Sequence, residues 1–162
     1  KNMENVVVRG VSIEKNQAKV TIRQVPDRPG TAAKIFGALA GANLSVDMIV
    51  QSDSVGDTND ISFTISKDDL AKTKKAMESV IKEIAAKEIL TEEGIAKLSI
   101  VGIGMRSHSG VAARLFEAMS AGGINIQMIS TSEIKTAVII DESKINEAAV
   151  LAHEAFGLSG KV

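Results

Sequence analysis

Two short stretches hold the residue types that could do chemistry in this chain. Pro26-Asp27-Arg28-Pro29-Gly30 runs into Thr31-Ala32-Ala33, and Ser107-His108-Ser109-Gly110 runs into Val111-Ala112-Ala113. Each is a turn with glycine that opens a run of small residues at helical spacing. The first turn of a helix offers backbone N–H groups without intrahelical partners and the positive end of the helix dipole. Both attract a carboxylate or a phosphate. Gly30 and Gly110 let a ligand come close to the backbone. The alanines after them leave room for it. The same glycines and alanines would equally serve close packing of helix on sheet, and the residues alone leave the two readings level.

Other constellations fail on spacing. Gly102-Ile103-Gly104-Met105-Arg106-Ser107 begins like a dinucleotide fingerprint, but the third glycine is missing and the helix opens several residues later. Ser107-His108-Ser109 sets a hydroxyl beside an imidazole without an orienting carboxylate or an oxyanion hole, so His108 reads as a turn residue. His153, beside Glu154, reads as a solvated helix residue. Asp57, Asp60, Asp68 and Asp69 lack the spacing of a calcium loop and read as solubilising loop residues. No metal site and no cofactor is expected.

The elements that position the two turns occur twice. Residues 30–39 return as 110–119, and residues 43–49 return as 123–129, without a gap. Two copies are too few for a solenoid, so two related modules are expected. In the first copy, strands are expected at 18–25, 44–51, 60–66 and 87–92. Helices are expected at 31–41 and 68–86, where apolar residues recur every three or four positions. Gly41 and Asn43 suit the exit of the first helix. The order is βαββαβ. The second copy offers strands at 97–104, 124–131 and 135–141 and helices at 109–121 and 145–156, with no room for a last strand. The N-terminus has a strand to spare in Val6-Val7-Val8 and Val11. The economical arrangement lets that strand complete the second sheet, giving interleaved domains of 16–93 and of 5–15 plus 94–162. The fold class is α+β: two ferredoxin-like antiparallel sheets, each with its helices on one face. Strands as apolar as 98–101 and 137–140 imply that part of the other face is buried too.

Composition bounds the partners. Nineteen Lys and Arg stand against twenty Asp and Glu, which excludes the basic bias of a nucleic-acid or membrane-surface protein. There is no Cys, Trp or Tyr, and the four Phe leave an aliphatic core. No apolar run is long enough to span a membrane, and no signal peptide is evident, so the cytoplasm is the expected location. A start at Lys1 reads as a fragment or processed product, with Met3 as a conceivable internal start.

The turn 26–30 with its helix and Asn43-Leu44-Ser45-Val46-Asp47-Met48-Ile49 resembles an ACT domain, a small-molecule sensor of amino-acid metabolism. Residues 101–112 and Asn125-Ile126-Gln127-Met128-Ile129-Ser130-Thr131-Ser132-Glu133-Ile134 resemble the second ACT domain of bacterial aspartate kinase. The resemblance covers essentially the whole chain. Ser109 stands where that family often has proline. The kinase domain has no counterpart in this sequence, so the resemblance implies a regulatory (β) subunit or fragment without activity of its own. Its partner would be the catalytic α subunit or kinase domain.

The resemblance further implies a homodimer in which the first ACT domain of one chain faces the second of the other. Threonine and/or lysine would bind between them as feedback inhibitors. Matched by position, a threonine-type site would draw on Asp27, Gly30, Thr31, Ala32 and Gln51 of one chain and on Asn125 and Ile126 of its partner. Backbone N–H groups at 30–32 would take the α-carboxylate, Asp27 the ammonium, and Gln51 a side-chain hydroxyl. A lysine-type site would draw on Asp47, Met105, Ser107, His108, Ser132 and Glu133, where two carboxylates suit the extra ammonium. Plain solvation for Asp47 and Glu133, and turn stabilisation for Asp27, are the structural alternatives. An ACT sensor of another biosynthetic enzyme, or a free-standing one, is the alternative function. An RNA-recognition module uses the same βαββαβ order but needs exposed aromatics on its central strands, which this chain lacks.

Overall fold

The structure is a computed structural model and describes residues 7–103 and 109–157, with only the backbone for Val7, Ile103 and Ser109. Its elements are β1 (Val7–Pro26), α1 (Thr31–Gly41), β2 (Ile49–Gln51), β3 (Thr58–Ser66), α2 (Leu70–Ile84), β4 (Glu88–Ile103), α3 (Ser109–Ala121), β5 (Met128–Thr131), β6 (Lys135–Asp141) and α4 (Ile145–Ala155). The chain divides into two compact units, Asn16–Glu93 and Lys1–Lys15 with Gly94–Val162. Each is an antiparallel α+β sandwich of one sheet and two helices.

The expected separate strands at the N-terminus and at 18–25 are one strand, β1. Those at 87–92 and 97–104 are likewise one, β4. Asn16 and Gly94 take left-handed backbone angles, φ 63° and 75°, at the residues where the division into units falls. Such a residue bends a strand without ending it, which is why the alternation looked interrupted.

In the unit 16–93 the sheet order is β2-β3-β1-β4. Val20 pairs with Phe63 and Ile22 with Ile61 across β1 and β3. The ion pairs Lys19–Glu92 and Arg23–Glu88 tie β1 to β4 on the sheet face away from the helices. On that face the Thr21 and Ser62 hydroxyls are 2.9 Å apart. The other face carries Val20, Ile22, Ile61, Phe63 and Ile65, all fully buried under Ile35 and Leu39 of α1 and Met77, Val80 and Ile84 of α2. In α2 the buried residues fall at 70, 73, 77, 80 and 84, the spacing of one helical face. The helix is preceded by a 3₁₀ turn at 67–69, where the Ser66 hydroxyl accepts from the Asp68 N–H.

Strand β2 is shorter than the expected 44–51, and β5 shorter than the expected 124–131. The helix exit consumes the missing residues. Asn43 stands at φ 62°, and the Leu44 N–H returns to the Leu39 carbonyl. The second copy does the same through Gly123 at φ 68° and Ile124 on Met119. Gly41, expected to share this role, has no positive φ. The Met48 N–H then finds the Thr64 hydroxyl at 3.0 Å, so a side chain replaces a ladder bond.

In the other unit the order is β1-β4-β6-β5. Ala96, Leu98, Ile100, Val138 and Ile140 pack under Leu115, Met119, Ala148 and Ala152. Five consecutive residues, 136–140, are buried, so both faces of β6 are covered, as its continuous apolar run implied. Lys97 is also buried and reaches Glu14 at 3.3 Å. Asp141 accepts from both the N–H and the hydroxyl of Ser143. Those bonds hold its pKa below the usual carboxylate range. His153 corrects an expectation: it is 7% exposed, not solvated. Its position, eight residues after the buried Ile145, returns it to the apolar stripe of α4.

The copies differ at one packing point. A Cβ on Gly122 would lie 2.4 Å from Leu151 Cδ1, whereas the first copy has Ala42 at that place. Gly122→Ala must displace the end of the half-buried Leu151 side chain, which can give way, and is therefore expected to cost about 1 kcal/mol, the low end for overpacking. A lowered urea midpoint that Leu151→Val partly restores would bear this out, and an unchanged midpoint would refute it.

Candidate functional site

The turn between β1 and α1 is built by the chain's only two prolines and one glycine. Gly30 caps α1 at φ 95°, ψ −15°, a conformation that penalises any residue with a Cβ. No side chain caps this helix, and its first turn holds no acidic residue. The Thr31 hydroxyl and backbone N–H both donate to the Arg28 carbonyl, at 3.1 and 3.5 Å, so Thr31 is occupied within the turn. Ala32 is exposed. Arg28 also donates to the Ile84 carbonyl at 3.3 Å, fixing the turn to the end of α2. A helix start with no side-chain cap and no resident acid attracts an anion in the physical sense.

Asp27 is anchored by its backbone, whose N–H donates to the Asp57 carbonyl at 2.8 Å. Its carboxylate accepts from Asn59 Nδ2 at 3.4 Å. Gln51 is exposed at the end of β2, opposite Ile61, while Val25 and Pro26 at the end of β1 lie opposite Asn59 and Thr58. The structure thus brings Asp27, Gly30, Thr31, Ala32 and Gln51 to one end of one sheet, flanking the first half of β3. Asp47 stands at the opposite end of that sheet, where its N–H bonds the Thr64 carbonyl at 3.0 Å.

In the other unit, Asn125 and Ile126 follow the α3 exit and line a hollow of about 420 Å³ with Phe116, Ser120, Gly123 and Ile124. Asn125 is exposed, and Ile126 is half-buried against the core. Ser132 and Glu133 form the exposed β5–β6 turn. There the Ser132 N–H bonds the Lys135 carbonyl at 2.7 Å and its hydroxyl accepts from the Ile134 N–H. The Gly102 N–H reaches the Ile134 carbonyl at 2.8 Å, so this turn lies at the end where β4 runs out. Met105, Ser107 and His108 lie outside the described residues.

Sequence reasoning missed Asn59, which falls between the expected strands 44–51 and 60–66. Asn59 is 5% exposed, and its Oδ1 is the one buried side-chain atom without a hydrogen-bond partner among the described residues. An unpaired buried polar atom costs about 1–3 kcal/mol. The signal was its phase: counted back by twos from Ile65, Phe63 and Ile61, position 59 points inward. Among the described residues no group of His, Asp and Glu could hold a metal ion, and no helix is long and apolar enough to cross a membrane.

Comparison with known proteins places these features in a family. The ACT-domain model matches residues 20–80 and 98–156. The chain is 48% identical over 157 residues to an aspartate kinase of Pseudomonas fluorescens, covering 97% of this chain and 38% of that protein. An aspartokinase of Helicobacter pylori is 46% identical over 156 residues, with the same 38% of its length covered. The chain therefore spans well under half of the curated relatives. Among solved structures, the ligand-free regulatory subunit of aspartate kinase from Thermus thermophilus superposes with a TM-score of 0.88 at 39% identity. That alignment covers 93% of this chain and 99% of that one. The regulatory subunit from Thermus flavus gives 0.86 at 38% identity with the same coverage.

Proposed function

The chain belongs to the ACT-domain family as a homologue of the regulatory subunits of aspartate kinases, and from that premise we propose that it senses end-product amino acids for such a kinase. It corresponds to the non-catalytic regulatory portion of those enzymes. Its sensor modules are 16–93 and 5–15 with 94–162. Threonine and/or lysine are the effectors, a catalytic subunit or kinase domain is the partner that receives the signal, and the cytoplasm is where these meet.

The observation that carries this reading is the end of the first sheet, where Asp27 and Gln51 flank the uncapped start of α1. The α-carboxylate of threonine lies on the N–H groups of 30–32, its ammonium on Asp27, and its hydroxyl within reach of Gln51. Asn125 and Ile126 of a second copy close the site. Support for a homodimer comes from the edge strands: Ile49 and Val50 of β2 and Ile129 of β5 are exposed, and an apolar edge invites another strand. The lysine-type site uses Asp47 with Ser132 and Glu133, together with Met105, Ser107 and His108.

A ligand shared by two chains binds best where both halves of its site meet. That difference in affinity between states is all that feedback control requires. Calorimetric titration with threonine and lysine, singly and together, alongside sedimentation, tests the reading. Gln51→Ala is expected to weaken threonine binding about tenfold, the worth of one good hydrogen bond, and to weaken threonine-driven dimerisation with it, without unfolding. Unchanged affinity in that variant would remove Gln51 from the site. Absence of binding by either amino acid would point to a sensor of another metabolite.

A further inference from the structure

Asn59 does something that packing does not explain. It sits in the inward phase of β3, 5% exposed, where a small apolar residue would fill the space without burying a carbonyl oxygen unpaired. Its Nδ2 donates to Asp27 Oδ1 at 3.4 Å, near the limit of a hydrogen bond. An asparagine beside an aspartate turns its N–H₂ toward the carboxylate as long as nothing stands on that carboxylate. A cation placed there reverses the preference, since an ammonium needs acceptors. The terminal torsion of asparagine is broad and nearly two-fold, so the amide exchanges its ends at small cost.

We infer that Asn59 is a further effector-site residue, which with Asp27 reads the ammonium group of an amino-acid ligand by turning its unpaired oxygen toward it. The inference rests on the proposed effector site. It gives the orphaned oxygen a partner, the ammonium, in the occupied state. It also separates the two copies. The ladders place Ile49 opposite Phe63 and Ile129 opposite Val138, so the counterpart of Asn59 is Ile134, which is 59% exposed. The counterpart of Asp27 in the repeat is Ser107. The acid–amide pair therefore occurs once, and the turn of the unit 16–93 is the one that selects an ammonium.

The test is a double-mutant cycle on the full chain, read by threonine calorimetry, with Asn59→Ala and the isosteric Asn59→Asp each made alone and with Asp27→Asn. Asn59→Ala is expected to weaken threonine about tenfold, as for a hydrogen bond to a charged group. The loss should largely vanish in the Asp27→Asn background, since both residues act on one group. Asn59→Asp should retain or improve binding, because a second carboxylate still accepts from the ammonium. A residue that only braces the turn would give losses that add, with no rescue by aspartate, and this would overturn the inference. So would wild-type affinity in Asn59→Ala. If the unmodified chain binds no amino acid, the effector reading falls and takes this inference with it. If it binds and the Asn59 variants bind equally, only the inference falls.

Discussion

Asp27→Asn is expected to weaken threonine binding by about ten- to a hundredfold, because it removes a charge-assisted hydrogen bond to the ammonium, worth about 1.5–3 kcal/mol. The fold should hardly respond. Asp27 is exposed, and its structural bond to Asp57 runs through the backbone N–H, which the substitution keeps. Asparagine also preserves an oxygen for the Asn59 amide. Calorimetry and a thermal melt on the same preparation separate the two effects. Lost affinity with an unchanged melting temperature supports the role. Equal falls in both would return Asp27 to turn stabilisation, and retained affinity would remove it from the site.

Phe63→Ala should give the largest loss of stability, about 3–5 kcal/mol. Phe63 is fully buried at the centre of the first core, and its ring meets Phe36 edge-on at 5.7 Å between centroids and 68° between planes. With four Phe in the chain, few neighbours can fill the space it would leave. Urea denaturation followed by circular dichroism measures the loss. Hydrogen exchange should show protection falling first along β3 and its ladder partners 17–22. A loss under about 1 kcal/mol, the cost of an ordinary surface change, would mean that the aliphatic core closes around the cavity. The effect also bears on the proposed site, because β3 carries Asn59 and pairs with β1, which ends just before Asp27, and with β2, which ends at Gln51.

Much of this was legible in the residues. The repeat pointed to the turn before α1, and helical spacing set α1 and α3 at the bounds observed, 31–41 and 109–121. What failed did so for identifiable reasons. Asn43 and Gly123 carry the chain out of each helix before a strand can form, which shortened β2 and β5. Left-handed residues at 16 and 94 broke the apparent alternation without breaking the strands. His153 was misplaced because a titratable side chain near a helix end reads as surface until the stripe is counted from Ile145.

The sequence by itself determined the module, its duplication, the α+β class and the glycine turn before α1. These follow from period, turn chemistry and repetition, which are local properties of the chain. Only the tertiary structure decided which residues share an end of a sheet, because that depends on strand order and register. Gln51 and Asp27 are 24 positions apart in the chain, yet both flank the same half of β3. Strand phase could have placed Asn59 inward, but only the tertiary structure showed its oxygen unpaired: whether a buried oxygen lacks a partner is decided by what packs around it.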